Sequence, residues 1–302
     1  MLDLVARTDE HLRESGRRDG SSPATGSPEL LSGPVEASLH FVRGGGRTVL
    51  SRQRVPYPLH ATRTFYLDRA RPEIATLYLQ SASGGLYRGD SLALSIVADA
   101  DTAAHVTTQA STIVHRTHRR GIAQSTRIDI EEHAFMAMTP DPLVLFPGAE
   151  IACTTDITMA LTASAILTDG LAHHDPEGKG RPFDRYSNAI IVRRAGGAVL
   201  LADRGSFTGE SMLGAASPLG PFRTVGTILV LGQGWERCDP DVLENRLAGC
   251  GCVAGISRLP NHAGVGGRIL AADGGALARG LEAAFAVAFE VLMGVPPGRR
   301  RK

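Results

Sequence analysis

The sequence predicts a mainly β domain that is closed by one or two helices near its C-terminus. From Val35 onward, short segments alternate apolar and polar residues, and turn signals separate them. The 35 glycines among 302 residues suit the many tight turns of such a fold. Patterns with helical spacing are confined mainly to two late segments, which favours a β-dominated domain.

The two-residue period of a half-buried strand is clearest in residues 91–97, where Leu92, Leu94 and Ile96 share one face. Four further segments are predicted as strands: residues 126–130, 188–192, 198–201 and 224–231. Residues 195–197 separate two of these segments, and a glycine-bearing turn at that place predicts a hairpin.

Two helices are predicted, over residues 240–248 and 274–293. The first has Asp239 or Asp241 available as an N-terminal cap, whose carboxylate accepts hydrogen bonds from free backbone amides. The second is rich in alanine, carries apolar residues at helical spacing and stops before Gly-Val-Pro-Pro at residues 294–297. Because proline cannot continue a helix, this sequence is a clear terminator.

The predicted domain covers residues 34–297 and lies between two polar tails. Residues 1–33 contain a glycine- and proline-bearing polar stretch with almost nothing to bury, so we expect a flexible N-terminal tail. Residues 298–302 end in Arg-Arg-Arg-Lys and are predicted to form a solvated basic tail.

Composition and charge bear on partners and location. The formal net charge is +1, so nothing in the overall charge indicates nucleic acid or an anionic membrane surface. No run of about 18 apolar residues occurs, and the N-terminal residues carry charges instead of an apolar signal core. Four cysteines are too few for a disulfide scaffold. We therefore expect a cytoplasmic protein without a membrane span.

The densest group of metal-ligand residue types is His173, His174, Asp175 and Glu177. Transition metals accept imidazole and carboxylate ligands, and a loop could turn both histidines inward. These residues are therefore candidates for transient metal handling. The alternative is an exposed, glycine-bearing polar loop that holds no ligand. No tightly bound cofactor is predicted.

Catalytic signatures are missing from the sequence. It contains no Gly-x-Ser-x-Gly elbow, no His-Glu-x-x-His pair and no Walker A loop. We therefore expect a protein that is not an enzyme. Two alternatives stay open: a β-rich hydrolase whose catalytic residues no motif marks, and a structural β module with an unrelated protein partner.

Three short motifs follow one another between residues 84 and 149. They contain Gly84, Gly85, Gly89 and Asp90, then Thr107, Thr108 and Gln109, and last Pro140, Asp141 and Pro142. The glycines of the first motif allow the positive φ of a tight turn. Asp90 can fix that turn by accepting hydrogen bonds from nearby amides.

The Thr-Thr-Gln segment is predicted to lie in a strand. Val106 and Thr108 would face one side of that strand, and His105, Thr107 and Gln109 would face the other. Buried hydroxyl and amide groups need hydrogen-bond partners. The segment is therefore either a structural hydrogen-bonded ladder, or the wall of a polar passage or docking surface.

The three motifs, in this order and with strand-like intervals, resemble the UreD (UreH) family of urease accessory proteins, and the resemblance extends over residues 35–297. It implies an elongated, layered or helical β domain. It also implies a scaffold for urease maturation, which assists nickel insertion into apo-urease in complex with a UreF-type protein and a UreG-type GTPase. The motif residues would then be structural or would line a passage for nickel. Under the same resemblance, the metal that His173, His174, Asp175 and Glu177 would handle transiently is nickel. Residues 169–183 depart from the usual Gly-Arg…Gly-Glu-x-Phe segment of the family.

Overall fold

The computed structural model of the protein describes residues 33–118, 120–214 and 216–300. The first part of the chain forms the strands β1 (Val35–Gly44), β2 (Arg47–Arg54), β3 (Leu59–Ala61), β4 (Ala75–Ser81), β5 (Ser91–Ala98), β6 (Ala103–Thr108), β7 (Ile113–Val114), β8 (Ile122–Ile130) and β9 (Phe135–Thr139). The second part forms β10 (Leu143–Leu145), β11 (Glu150–Met159), β12 (Ser164–His173), β13 (Arg185–Arg194), β14 (Val199–Thr208), α1 (Gly209–Leu213), β15 (Thr224–Gly232), α2 (Pro240–Ala248), β16 (Val253–Arg258), β17 (Gly264–Ala271) and α3 (Gly274–Met293).

The strands form two sheets that share one hydrophobic core. The first sheet has the order β14-β13-β11-β8-β5-β1-β2. The second follows the order β16-β17-β15-β12-β9-β6-β4-β3, with β10 paired to β12 and to β7. The run from β1 to β13 in the first sheet is parallel, and so is the run from β4 to β12 in the second. The predicted layered, mainly β architecture is confirmed.

The chain coils between the two sheets. From β4 to β13, successive long strands alternate: β4, β6, β9 and β12 belong to the second sheet, and β5, β8, β11 and β13 belong to the first. Each strand in these runs is connected to the next strand of its own sheet through a strand of the other sheet. Such a long crossover connection allows two neighbouring strands to pair in parallel, which a short hairpin does not. The fold is therefore solenoid-like, as the family resemblance implies.

Apolar side chains from both sheets meet in the core between them. Leu94, Ile96 and Ile128 come from the first sheet, and Val106 and Met136 come from the second; each is buried. Strand β5 alternates half-buried and buried residues along its whole length, which confirms the predicted two-residue period. Each such side chain contributes about 1.5–3 kcal/mol by leaving water.

The edges of the first sheet are hairpins. Strands β13 and β14 pair antiparallel, with Val192 opposite Leu201, so the predicted hairpin is confirmed. Gly197 takes a φ of +90° in its turn, a value that glycine adopts without steric cost. At the other edge, β2 runs antiparallel to β1. The parallel part of this sheet is thus bordered by one antiparallel strand on each side.

Helices α2 and α3 cover the outer face of the second sheet. Leu277 and Phe285 of α3 pack in one cluster with Ile228 of β15 and Ile269 of β17. Both helices have the predicted bounds, and Asp239 caps α2. Within the described part of the chain, none of the helices combines the length and the apolar character that crossing a membrane requires.

The C-terminal end differs from the sequence prediction at Arg300. A solvated tail was expected there, but the Arg300 side chain is only 7% exposed and pairs with Asp68 at 2.9 Å. The physical reason is that the buried Asp68 carboxylate needs a counter-charge. Arg299 is exposed, as expected. Residues 301–302 and the predicted N-terminal tail, apart from Gly33, lie outside the described residues.

Candidate functional site

The three sequence motifs meet at a cavity between the two sheets, named here the inter-sheet cavity, with a volume of about 320 Å³. Motif residues in its wall are Gly84, Gly85, Thr108, Gln109, Pro140 and Asp141. Most of the other polar lining consists of neutral hydroxyl and amide groups: Gln80, Ser81, Ser111, Thr112, Gln124, Ser125, Thr126, Thr154, Thr155, Thr168 and Asn188. Across the described residues, the charged side chains of the wall are Asp141 and Asp169, and no lysine, arginine or histidine lines it.

The glycine motif forms a tight turn at the wall of the cavity. Gly84 and Gly85 have φ values of +76° and +143°. A Cβ at Gly85 would lie 2.5 Å from the carbonyl oxygen of Ile113, so no side chain fits there. The carboxylate of Asp90 accepts a hydrogen bond from the Tyr87 amide at 2.7 Å, which is the turn-fixing contact that we expect of it.

The Thr-Thr-Gln motif ends strand β6 and faces two cavities. Thr108 lines the inter-sheet cavity. His105 and Thr107 point to the opposite side, where they line a second cavity of about 210 Å³ beside α3, the helix-side cavity. Gln109 was predicted to share the side of Thr107, but it lines the inter-sheet cavity. Alternation stops because β6 ends at Thr108.

Hydrogen bonds satisfy the polar groups of this motif. The Thr107 hydroxyl donates to the Thr139 carbonyl oxygen at 2.6 Å. The Asp141 amide donates to Thr108 Oγ1 at 2.8 Å, and that hydroxyl donates to the Asp141 carboxylate at 3.4 Å. The side-chain amide of Gln80 donates to Oε1, the side-chain oxygen, of Gln109. The Thr-Thr-Gln and Pro-Asp-Pro motifs are thus tied together in the cavity wall.

Asp169 is a cavity residue that the sequence motifs did not single out. It lies on β12, where Asn188 and Thr227 donate hydrogen bonds to its carboxyl group. Burial raises the pKa of this carboxyl group, and these hydrogen bonds and the positive charge of Arg268 oppose the rise. The signal that could have marked it is a carboxylate inside an otherwise apolar strand, since such a group needs buried partners.

Two further ionisable groups of the cavity wall respond to the same surroundings. Burial raises the pKa of the Cys153 thiol to about 12, and the nearby Asp169 adds to the shift. Burial also raises the pKa of the Tyr186 phenol well above 10, with Asp169 again contributing. Both groups therefore stay protonated at neutral pH, and the cavity wall gains no further charge from them.

The four candidate nickel residues lie outside the inter-sheet cavity: His173 is the last residue of β12, and His174, Asp175 and Glu177 follow it. The Asp175 carboxylate is 4% exposed and pairs with the Arg181 guanidinium at 3.0 Å. It also accepts hydrogen bonds from the amides of Glu177, Lys179 and Arg181. The hydrogen bond from the Arg181 side chain is the main cause that lowers the pKa of Asp175. Asp175 therefore organises its own loop.

The neighbours of Asp175 are engaged in a similar way. Glu177 pairs with Lys179 at 2.8 Å and with Arg181 at 2.9 Å. His173 Nδ1 lies 3.1 Å from the Leu145 carbonyl oxygen. Throughout the described residues, no three histidine, cysteine, aspartate or glutamate side chains are grouped so that they could hold a metal ion. Nickel handling by this loop stays a prediction.

Fold and site together define a class of protein: a layered β solenoid that encloses a cavity whose wall combines apolar side chains with hydroxyl and amide groups and two carboxyl groups. A family model described as "UreD urease accessory protein" matches residues 34–302. The chain therefore belongs to the UreD family of urease accessory proteins. Its relatives are named as accessory proteins, and this chain likewise is an accessory protein and not an enzyme.

Three relatives show the extent of the similarity. Urease accessory protein UreD 1 of Methylorubrum extorquens (strain PA1) is 48% identical over 296 residues, which cover 95% of this chain and 98% of the relative. UreD 1 of Methylorubrum populi is 49% identical over 285 residues, covering 93% and 96%. UreD 3 of Bradyrhizobium sp. (strain ORS 278) is 47% identical over 268 residues, covering 89% and 95%.

Proposed function

We propose that this protein is a scaffold in the cytoplasmic maturation of urease and that it assists the insertion of nickel into apo-urease. It acts in complex with a UreF-type protein and a UreG-type GTPase, and the hydrolysis of GTP belongs to that partner. The relatives named as urease accessory proteins support the first part of this proposal. Nickel is the cargo of the process and not a resident cofactor.

The inter-sheet cavity is the observation that carries the nickel part of the proposal. Its wall offers many neutral oxygen atoms, two carboxylates and, over the described residues, no cationic side chain. A cavity lined by one sign of charge concentrates ions of the opposite sign. Nickel accepts oxygen and nitrogen ligands. We infer that Ni²⁺ passes through this cavity and keeps part of its water shell.

Ni²⁺ can pass through the cavity only if its contacts with the wall are weak, and the wall groups are suited to weak contacts. Asp141 is already engaged with Thr108, and Asp169 with Asn188 and Thr227. Because burial raises the pKa of Asp169, a proton competes with a cation for this carboxyl group. The two carboxylates thus attract the ion without a preformed shell that would retain it, which suits delivery better than storage.

Deletion of the gene tests the proposed function. Urease from the deletion strain, purified after growth in limiting nickel, is expected to accumulate as protein but to lack nickel, and a plasmid copy of this chain restores it. The measurement is nickel per urease active site by elemental analysis. Fully nickel-loaded urease from the deletion strain would refute the proposal.

Co-purification tests the predicted partners. Tagged protein, expressed together with a UreF-type protein and apo-urease, is expected to retain both on an affinity column. The matched control is the same tag on the UreF-type protein without this chain, which should retain less apo-urease. Failure to retain either partner would argue for a β module with another role.

A further inference from the structure

The helix-side cavity continues the route from the inter-sheet cavity toward α3. Pro140, Asp141 and Thr168 line both cavities, so these three residues form the partition between them. The far side of the helix-side cavity is bounded by α3, which contributes Phe285 and the charged Arg279 and Glu282, and by Arg300 from the C-terminal end of the chain. An ion that leaves the inter-sheet cavity past Asp141 therefore meets Arg300.

Arg300 is held in this position by a buried ion pair. Its guanidinium donates to both carboxylate oxygens of Asp68, at 3.0 and 2.9 Å, and the two side chains are 7% and 1% exposed. Its Nε donates to His105 Nδ1 at 3.1 Å. The guanidinium also lies 5.9 Å from the ring centre of Phe285 and 5.8 Å from that of Phe289. These contacts fix the guanidinium side chain at the wall of the cavity, with its charge paired to the Asp68 carboxylate.

The tautomer of His105 follows from the contact with Arg300. An arginine can only donate, so His105 Nδ1 must accept and carries no proton. The proton is then on Nε2, which lies 2.6 Å from Thr139 Oγ1 and donates to it. Arg300 is thereby linked to Thr139 at the end of β9, one residue before the partition residue Pro140.

The C-terminal segment is seated on the chain near Asp68 without strand pairing. The Gly298 amide donates to Asp68 at 2.6 Å, and the Gly298 carbonyl oxygen accepts from Arg300 at 2.6 Å. A Cβ at Gly298 would lie 2.1 Å from the Leu67 carbonyl oxygen, so only glycine allows this approach. Pro296 and Arg299 beside it are exposed. The segment is thus fastened mainly through one carboxylate.

We propose that residues 298–300 are a latch that closes the α3 side of the passage, with the Arg300 side chain as the group that obstructs it while Asp68 holds that side chain in place. The proposal rests on the proposed function, because it assigns one end of the nickel passage a closed state. Release of Arg300 from Asp68 removes both the side chain and its charge from the cavity. The same route then conducts cations toward whatever is bound at that face.

Thiol labelling at the partition tests the latch on the full-length chain alone. Thr168, which is buried and lines both cavities, is changed to Cys as the reporter. The labelling rate is measured with two small methanethiosulfonate reagents, one neutral and one cationic. Mass spectrometry of the peptide that contains residue 168 distinguishes its labelling from that of the native cysteines. Arg300→Ala is expected to raise the rate of both reagents by about tenfold, because labelling proceeds through open states.

Two further variants distinguish the effect of losing the Arg300 charge from the effect of opening the helix-side cavity. Arg300→Met keeps much of the side-chain length, so it should raise the rate of the cationic reagent more than that of the neutral one. Asp68→Asn combined with Arg300→Met leaves no unpaired buried charge, and it decides the question should Arg300→Ala unfold. Arg299→Ala is the matched control, since it removes the same charge at an exposed position and should change neither rate.

Equal labelling rates in the parent, Arg300→Met and the double variant would overturn the latch. Because this readout needs no urease, it fails independently of the proposed function. If the rates stay equal while urease maturation still requires this chain, the latch alone is wrong. If the rates rise as expected but urease is fully loaded without this chain, the latch stands as a property of the fold and the nickel role is wrong.

Discussion

Two acidic regions of this protein look alike in composition and differ in what their carboxylates contact. The segment after β12 places Asp175 and Glu177 beside arginine and lysine side chains that neutralise them. In the inter-sheet cavity, hydroxyl and amide groups contact Asp141 and Asp169, and no cationic side chain among the described residues lines the wall, although the charge of Arg268 acts on Asp169. The charge of the groups around each carboxylate is therefore a better guide to ion binding than the number of ligand-type residues that stand close together in the sequence.

The largest expected effect tests whether the cavity carboxylates serve the cargo. Asp141→Asn combined with Asp169→Asn should lower the nickel content of urease by about tenfold in limiting nickel, because the cavity loses both negative charges that concentrate cations. The measurement is nickel per active site in a strain that carries only the variant. Asp156→Asn, on the exposed outer face of β11, is the matched control and should leave loading unchanged. If urease is loaded with nickel normally in the strain that carries the double variant, the cavity carboxylates serve the cargo no more than Asp175 and Glu177 do.

The next contrast is in stability, and it compares a glycine of the cavity wall with a glycine of the loop near Asp175. Gly85→Ala should lower the free energy of unfolding by about 3 kcal/mol, because a positive φ and a backbone oxygen at 2.5 Å both oppose the new Cβ. Gly178→Ala, near Asp175, meets no atom within 4 Å and should cost about 1 kcal/mol for its positive φ alone. Chemical denaturation measures both. Equal losses would mean that the cavity wall relaxes around the new side chain.

Opposite pH dependences are expected from Asp169 and Asp175. The pKa of Asp169 is raised in the folded state, so its contribution to stability is complete below the ordinary value of 3.8 and is lost as pH rises through the raised value. The pKa of Asp175 is lowered, so its contribution is present above 3.8 and is lost as pH falls through the lowered value. Parent stability minus Asp169→Asn stability should therefore fall with rising pH, and the same difference for Asp175→Asn should rise. Unfolding titrations from acid to neutral pH check the two signs.

The smallest effect is expected from His173 and His174, the histidines beside Asp175. His173→Ala combined with His174→Ala should leave the nickel content of urease unchanged, because neither side chain lines the inter-sheet cavity. The comparison with the Asp141 and Asp169 variants is made in the same strain and at the same limiting nickel. A clear loss of nickel would restore the loop as a handling site and would show that paired carboxylates do not prevent a role for adjacent imidazoles.

Local patterns were enough to predict most of the secondary structure. The alternation in β5 and the alanine-rich pattern and terminator of α3 depend on neighbours within a few residues, and both were predicted correctly. Gln109 was assigned to the wrong side because the end of β6 is set by pairing with other strands and not by its own residues. Existence and type of an element are thus easier to predict than the residue at which it ends.

The cavity depended on contacts that sequence patterns do not reveal. Asp169 meets Asn188 from the other sheet, and Arg300 meets Asp68 across 232 residues. Both partners are ordinary polar residues in the sequence, and only the coil of the chain brings them together. The motifs predicted three parts of the cavity wall. The acidic character of that wall became evident only in the structure, where none of the described basic residues lines it.

The antiparallel strands at the edges of the first sheet have a consequence for self-association. A coil of parallel strands ends in open edges, and an identical coil can add to such an edge without limit. Here β2 and β14 occupy those edges, and β2 exposes Arg47, Arg52 and Arg54. Two copies that approached through this edge would bring their arginines together and repel each other. Exposed arginines on an edge strand therefore disfavour its pairing with an identical edge.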